Sequence, residues 1–176
     1  MPSPLIELDH FLPYRISVLA NVVSAAIAAA YEERFGLTIP EWRVIAVLAR
    51  YPGLSAREVA QKSRMDAVAV SRAVNRLLRA GRLRRAVAPD DRRRSVLQVS
   101  EAGATVYREV APIALDFERA LLGSISSAEG AQFDRLLGVL TARAEAISAD
   151  LRSDRSRSRR NRPPARTDAP RGARRR

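Results

Sequence analysis

Apolar residues recur every three or four positions over most of this 176-residue chain, and they alternate with polar residues only between residues 83 and 100. The first spacing is typical of amphipathic helices and the second of strands. The two strand candidates are Leu83 to Ala88 and Ser95 to Ser100, and the polar residues 89–94 between them indicate an exposed loop. The chain is therefore predicted to be mainly α-helical with one small β-hairpin.

A helix-turn-helix unit is predicted directly before this hairpin. Ser55-Ala-Arg-Glu58 has the form of a capping box and opens a short helix. Asp66 then caps a longer helix that runs from Ala67 to Ala80 and stops before Gly81. A short helix, a tight turn and a longer helix have the spacing of a helix-turn-helix unit. A hairpin that follows such a unit directly is a wing.

Further helices are predicted on both sides of this unit. A capping box at Thr38 opens one that runs to about Arg50, so the winged helix-turn-helix region covers about residues 38–100. Long helices are expected over residues 9–35, 101–123 and 127–151. The first of them is apolar on more than one face, so it needs packing partners on more than one side. We therefore expect these long helices to be dimerisation helices, which pack between two copies of the chain. Packing within one subunit is the alternative.

The net charge of +12 is unevenly distributed. Residues 55–95 hold 12 basic and four acidic residues, and residues 152–176 hold 11 arginines and two aspartates, so the rest of the chain carries a net charge of −5. A basic segment in mildly acidic surroundings is typical of a nucleic-acid footprint. An ordinary solvated face is the alternative interpretation.

The last 25 residues have no large hydrophobic side chain, so residues 152–176 are predicted to form a disordered, Arg-rich tail after a domain of residues 1–151. Two roles are compatible with this composition. The tail could be a basic arm that attracts nucleic acid without regard to sequence, or an extension that only improves solubility.

The composition excludes several classes of function. Cysteine is absent and His10 is the only histidine, which argues against disulfides, thiol chemistry, a metal site and a catalytic triad. We find neither paired carboxylates in an apolar context nor a phosphate-cradling glycine loop, so we expect no enzyme and no cofactor. No run of eighteen apolar residues is present, and acidic residues stand where a signal peptide has basic ones. We therefore expect no membrane span and a cytoplasmic, nucleoid-associated protein.

The predicted order of elements resembles the MarR-type winged helix regulators of bacteria over about residues 10–150. The most specific similarity is the segment from Asp66 to Arg85, which resembles the recognition helix, the glycine that ends it and the first wing strand of that family. The second is Asp91-Arg-Arg93 before Val96, which resembles the wing signature. Arg82 departs from the pattern, since the family usually has an apolar residue after the glycine.

This resemblance implies that helix 67–80 enters the major groove of DNA, where base edges are distinguishable. The core face of this helix is assigned to Val70, Val74, Leu77 and Leu78. Arg79 is assigned to the opposite, exposed face, together with the residues of this helix that are predicted to bind DNA. Early positions should reach the bases. The predicted DNA-binding residues are Ser55, Arg57, Ala67, Val68, Ser71, Arg72, Asn75, Arg76, Arg92, Arg93 and Arg94.

Individual roles follow from chemistry and from the resemblance. Ser71 and Arg72 are expected to contact bases or phosphates, and Val68 a thymine methyl group. Arg76 could instead pair with an acidic residue of the wing. By resemblance, Arg93 reaches the minor groove and Asp91 helps to hold it. Ser55 and the amides of the helix that follows it could cap a phosphate.

The family typically represses transcription and releases DNA when a small, often aromatic or anionic, compound enters a pocket between the dimer helices and the winged domain. The candidate lining residues here are His10, Arg15, Trp42 and Arg43. Each residue also has a structural alternative. Trp42 could be a core residue, Arg15 and Arg43 could form ion pairs, and His10 could face solvent.

The predicted function is therefore that of a sequence-specific regulator that binds double-stranded DNA as a homodimer on a pseudo-palindromic site. The alternative is a non-specific architectural nucleic-acid binder in which the basic tail dominates. A third interpretation, binding of the tail to an anionic membrane, would be weak because the tail has no hydrophobic anchor.

Overall fold

The computed structural model describes residues 5–87 and 95–160, with side chains described as far as residue 154. A short 3-10 turn, Leu8–His10, precedes the first helix. The helices and strands are α1 Leu12–Phe35, α2 Ile39–Arg50, α3 Ala56–Ser63, α4 Ala67–Arg79, β1 Leu83–Val87, β2 Ser95–Val99, α5 Glu101–Leu122 and α6 Ser127–Arg160. The mainly helical fold with a small β-wing that the sequence predicts is confirmed.

The chain divides into two compact units near the end of α5, at Leu121. In the first unit, one apolar core is built from α2, α3, α4 and the wing strands, with the last turns of α1 and the first turns of α5 added to it. Its fully buried side chains include Tyr31, Leu37, Val44, Ile45, Leu48, Val59, Val70, Val74, Leu77, Leu97 and Val110. Burial of each such side chain stabilises the fold by roughly 1.5–3 kcal/mol, so this core fixes the helix-turn-helix rigidly.

The helix starts in this unit are set by local side-chain bonds, as predicted. The Thr38 amide and hydroxyl both donate to Oε2 of Glu41 at 2.7 Å. Ser55 makes the same two bonds with Glu58, each also 2.7 Å. Asp66 Oδ1 accepts from the amides of Val68 and Ala69 at 2.9 and 3.0 Å. These bonds satisfy amides that have no partner inside the helix.

The wing is an antiparallel pair in which Leu83 stands opposite Val99 and Val87 opposite Ser95. Leu83, Val96 and Leu97 are buried against the helices. The predicted strands therefore agree with the observed ones to within one residue. The loop that joins them, residues 88–94, lies outside the described residues.

Only the C-terminal half of α1 reaches the core, through Ala28 and Tyr31. Apolar side chains of its first half, among them Ile16 and Leu19, are more than 40% exposed. By length and composition α1 is also the one described helix that could cross a membrane. The expectation of no membrane span rested on the lack of an unbroken apolar run, a stricter criterion than mean hydropathy over a window.

The second unit begins at Leu122, and its described helix is α6. This helix starts at a capping box where the Ser126 amide and hydroxyl donate to Glu129 at 2.8 and 2.7 Å. The helix continues to Arg160, so the predicted boundary between residues 151 and 152 is wrong for residues 152–160. The physical reason is helix propensity: arginine is a good helix former, and neither glycine nor proline occurs from residue 139 to residue 162. Loss of the apolar period ends a packing face but not a helix.

Candidate nucleic-acid interface

The recognition helix α4 has two sharply different faces. Val70, Ala73, Val74 and Leu77 are buried in the core, and Leu78 is half-buried. The other face is exposed and consists of Ala67, Val68, Ser71, Arg72, Asn75, Arg76 and Arg79. This face is the one the sequence predicts, and it combines small, hydrogen-bonding and cationic side chains of the types that read DNA.

The start of α4 is rigid because Asp66 caps it and because the turn before it has a fixed shape. Arg64 ends α3 in the left-handed conformation, with φ of 55°. Such backbone is uncommon for a residue other than glycine. The early positions Val68 and Ser71 are thus presented on a defined framework.

Arg76 is engaged in the free protein. Its Nε lies 3.0 Å from Oε1 of Glu41, a carboxylate whose side chain is only 5% exposed. The alternative that Arg76 pairs with an acid is therefore correct in kind, but the acid belongs to α2 and not to the wing. Arg72, four residues earlier on α4, is exposed.

Ser55 is also engaged, because its hydroxyl donates to Glu58 and accepts from the Glu58 amide at 3.3 Å. A phosphate at this helix start would meet the Glu58 carboxylate. Arg57, by contrast, is exposed and lines a groove of about 520 Å³ between α3 and the start of α4, together with Gln61, Arg64, Met65 and Ala67. Gln61 and Arg64 are not among the predicted contacts, although they follow Arg57 at steps of four and three on one face of α3 and its C-cap, a spacing that the sequence shows.

The predicted wing contacts Asp91, Arg92, Arg93 and Arg94 all lie outside the described residues. The last described pair of the two strands is Val87 opposite Ser95.

Within one copy of the chain, the four candidate pocket residues do not form one site. Trp42 is half-buried and stacks between Tyr31 and Tyr107, with ring centroids 5.7 and 5.9 Å away. Arg43 donates to the hydroxyl of Ser24 at 2.8 Å. Arg15 lies nine residues before Ser24 on α1, about 13 Å along the helix axis.

Burial in this aromatic cluster raises the pKa of Tyr31, and the positive charge of Arg43 partly opposes that shift. His10 and Arg15 are exposed near the start of α1. Arg15 lines a shallow groove of about 390 Å³ formed by Asp9 and by side chains of α1 alone. Trp42 is therefore a core residue at the edge of the described unit, and Arg43 joins α2 to α1.

Known proteins share this sequence pattern and this fold. Residues 35–94 match the model of the MarR family. A MarR/EmrR family transcriptional regulator from Acinetobacter sp. ADP1 has a similar structure, with 28% identity, a TM-score of 0.74, and coverage of 80% of this chain and 99% of the other. The search of the curated proteins found no match.

Two further structures share the fold. PcaV from Streptomyces coelicolor, solved with its natural ligand, is 24% identical with a TM-score of 0.62 and covers 81% of this chain and 99% of its own. MepR from S. aureus, solved in complex with DNA, is 17% identical with a TM-score of 0.69, and the match covers 77% of this chain and 98% of MepR. At these identities, both show the fold alone.

The exposed face of α4 above a buried core, followed directly by a paired hairpin, defines a winged helix-turn-helix protein. Its segment of residues 35–94 matches the MarR family of transcriptional regulators. The family assignment made from the recognition helix and the wing signature is thus confirmed, and the family consists of regulators rather than enzymes.

Proposed function

We propose that this protein is a sequence-specific regulator that binds double-stranded DNA as a homodimer, most simply as a repressor in the cytoplasm. The observation that carries the proposal is the exposed face of α4, where Ser71, Arg72 and Asn75 stand in solvent above a fully buried apolar face. A helix of this size fits the major groove. The MepR structure, with the same fold, is a DNA complex.

The homodimer is supported by large apolar side chains that are more than a third exposed among the described residues. On α1, Leu12, Ile16, Val18, Leu19 and Val22 are each at least 41% exposed. On α6, Phe133, Leu137, Leu140, Ile147 and Leu151 are each at least 37% exposed and are spaced by three, four or seven residues. Apolar faces of this extent mark association sites, and a second copy supplies a matching one by symmetry. Residues 1–151 then act as one dimerising domain.

A dimer places two copies of α4 on one side of a duplex, on half-sites about 10 base pairs apart. The base contacts come from Ala67, Val68, Ser71, Arg72 and Asn75. Contacts to the backbone come from Arg57, from Arg64 beside it and from the wing arginines Arg92, Arg93 and Arg94, with Asp91 supporting the wing. Arg76 is a weaker contributor to DNA binding, since its Nε is held by Glu41 and only its remaining donors are available.

Release by a small aromatic or anionic ligand is the regulatory part of the proposal, and the PcaV complex is its precedent in this fold. A pocket that uses His10 and Arg15 together with Trp42 and Arg43 requires α1 of a second copy, since the two pairs lie apart within one chain. A ligand acts only through different affinities for the DNA-binding and the free conformation.

The second candidate is an architectural binder without sequence preference, which the 11 arginines of residues 152–176 favour. The two functions differ in selectivity. A specific regulator prefers its operator over random duplex by about 10³-fold or more.

The deciding experiment is selection of preferred duplexes from a random pool by the full chain, followed by mobility-shift titration of the selected and random duplexes. Recovery of one pseudo-palindromic sequence with that preference supports the regulator. Recovery of unrelated sequences with equal affinity supports the architectural binder.

A further inference from the structure

The end of the recognition helix has an unusual residue in a well-defined turn. Gly81 has φ of 66°, its amide donates to the carbonyl of Leu78 at 3.1 Å, and the amide of Arg82 donates to the carbonyl of Leu77 at 2.9 Å. This is the Schellman geometry, in which the residue after the glycine usually carries an apolar side chain that packs on the last turn. Here that residue is Arg82.

The side chain of Arg82 reaches α1. Its Nη2 donates to the carbonyl oxygen of Phe35 at 2.6 Å, in a half-buried bond between residues 47 positions apart. Phe35 is the last residue of α1, and its carbonyl is one of the four that have no partner inside the helix. A guanidinium at this position also interacts favourably with the negative end of the helix dipole. Arg82 thus caps α1 from the base of the wing.

The backbone of Arg82 is held from the opposite side by the start of α5. The amide of Ser100 donates to the carbonyl of Arg82 at 3.1 Å, and the hydroxyl of Ser100 donates to the carbonyl of Gly81 at 2.6 Å. Gly103 packs so closely that a Cβ there would lie 2.2 Å from the Arg82 oxygen. Any tilt of α1 that carries Phe35 along therefore pulls on a backbone that is fixed to the end of α4.

The other described hydrogen bonds and ion pairs that join α1 to another helix do not involve α4. Arg34 forms an ion pair with Glu109 of α5, and Ser24 accepts from Arg43 of α2. Both arginines are exposed, so water competes for these bonds. Among the described contacts, the Arg82 bond is the hydrogen bond that joins α1 directly to the turn ending the recognition helix.

We propose that Arg82 is a positioning residue that fixes the angle between α1 and α4 and thereby the half-site spacing that the dimer accepts. This inference rests on the proposed function, in which α1 lies in the dimer interface and α4 in the major groove. With the angle fixed, two copies of α4 have one preferred separation. Without the bond, α4 samples several separations, and the dimer tolerates operators of different spacing.

The test compares Arg82→Leu with the wild type on the selected duplex and on duplexes with one or two base pairs added or removed between the half-sites. Leucine suits the Schellman position, so α4 keeps its cap while the tie to α1 is lost. Wild type is expected to lose about tenfold or more in affinity for each altered spacing, a typical cost of one misplaced set of base contacts. Arg82→Leu is expected to bind all spacings within about threefold of one another.

Two further variants separate positioning from charge and from stability. Arg84→Leu removes the same charge from the same strand region and is expected to weaken all duplexes equally while keeping the wild-type spacing profile. Arg82→Lys restores a donor with similar reach and is expected to recover that profile. If Arg82→Leu does not fold, Arg82→Gln, which is too short to reach Phe35, takes its place.

A flat spacing profile for Arg82→Leu or Arg82→Gln, with recovery in Arg82→Lys, supports the proposal. A wild-type profile in the leucine or glutamine variant overturns the role of Arg82 and leaves the proposed function intact. A wild type that shows no preferred sequence and no preferred spacing overturns both.

Discussion

Nε of Arg76 on the recognition helix lies 3.0 Å from Oε1 of the buried Glu41 on α2, whose other oxygen caps its own helix through Thr38. One carboxylate therefore holds the start of α2 and the middle of α4 together. Glu41 is 4% exposed, so its charge needs both partners. One of the cations on the exposed face of α4 therefore helps to hold α2 and α4 together.

This relationship predicts opposite effects for two neighbouring arginines. Arg76→Ala should lower the free energy of unfolding by roughly 1–2 kcal/mol, since it leaves a buried carboxylate with one partner fewer; the value is modest because Arg76 itself is half exposed. Arg72→Ala should change it by less than about 0.5 kcal/mol. Urea denaturation of both variants measures this difference.

For DNA binding, Arg72→Ala should have the larger effect and Arg76→Ala the smaller one, the reverse of their effects on stability. Arg72→Ala should weaken binding to the selected operator by about 1–3 kcal/mol and relax the preference at one base pair, whereas Arg76→Ala should weaken it less. Mobility-shift titrations of correctly folded protein give both values. Equal losses for the two variants would mean that Arg76 contributes as much to DNA binding as Arg72 despite its pairing with Glu41.

Gly103 is predicted to be intolerant of alanine. A Cβ there would lie 2.2 Å from the carbonyl oxygen of Arg82 and 2.8 Å from Cγ1 of Val99, so the base of the wing must move. Gly103→Ala should cost about 2–4 kcal/mol of stability, in the upper range for overpacking, because backbone cannot yield as a side chain does.

Gly138→Ala is the matched control, since that glycine also lies inside a helix and has nothing within 4 Å of its added Cβ. It should stabilise α6 by up to about 1 kcal/mol through helix propensity. Thermal unfolding of both variants distinguishes the steric cost from the general effect of removing a glycine. Similar stabilities would contradict the close packing at Arg82.

The sequence predicts those features that depend on neighbours within a few residues. The three capping boxes at Thr38, Ser55 and Ser126 place helix starts correctly, because their bonds span only three residues. The change in apolar period places the wing strands to within one residue. The buried and exposed faces of α4 follow from the same period.

Features that depend on distant partners were not predictable. Glu41 was assigned to its cap, and its second bond to Arg76 depends on the packing of α2 against α4. The sequence shows that Arg82 stands where an apolar residue usually follows the glycine. Its partner could not be predicted, because it is a backbone carbonyl 47 positions away. The extension of α6 past residue 151 is not predicted, because an apolar period reports a packing face and residues 152–160 contain no such period.

Association through α1 predicts that a charge on its exposed apolar face separates the copies. Leu19→Asp should raise the dimer dissociation constant by about 100-fold or more, since it buries a carboxylate without a partner in an apolar contact. Asn21→Asp adds the same charge to a polar position of the same helix and should leave the dimer intact. Sedimentation velocity over a range of concentrations measures both.

Operator binding should fall with dimerisation in Leu19→Asp, because each copy then contributes a single half-site. A Leu19→Asp protein that sediments and binds like wild type would show that this face of α1 does not join the copies. Circular dichroism checks that the winged-helix core remains folded in both variants.

The start of α6 should depend on pH. Bonds from the Ser126 hydroxyl and amide hold the pKa of the Glu129 carboxyl below its ordinary value of 4.5. Since the folded-state pKa is lowered, the stabilisation is complete above the unfolded pKa and is lost as pH falls through the lowered folded one. Carbon NMR of the Glu129 carboxyl should show the lowered pKa, and Ser126→Ala should return it toward the ordinary value. An unchanged pKa in Ser126→Ala would rule out the bond from the Ser126 hydroxyl as its cause.

The arginines of residues 152–176 are predicted to add affinity for DNA without adding selectivity. Each phosphate that a protein neutralises steepens the dependence of log K on log salt by about 0.9, so truncation after Leu151 should reduce that slope by at least about 2. Affinities for operator and random duplex should fall by the same factor, since phosphate contacts are independent of sequence. A full-length variant with these 11 arginines replaced by lysine should keep the slope, because charge and not the planar guanidinium carries the effect. Unchanged affinity and slope after truncation would instead assign the segment to solubility, and complete loss of operator binding would favour the architectural function.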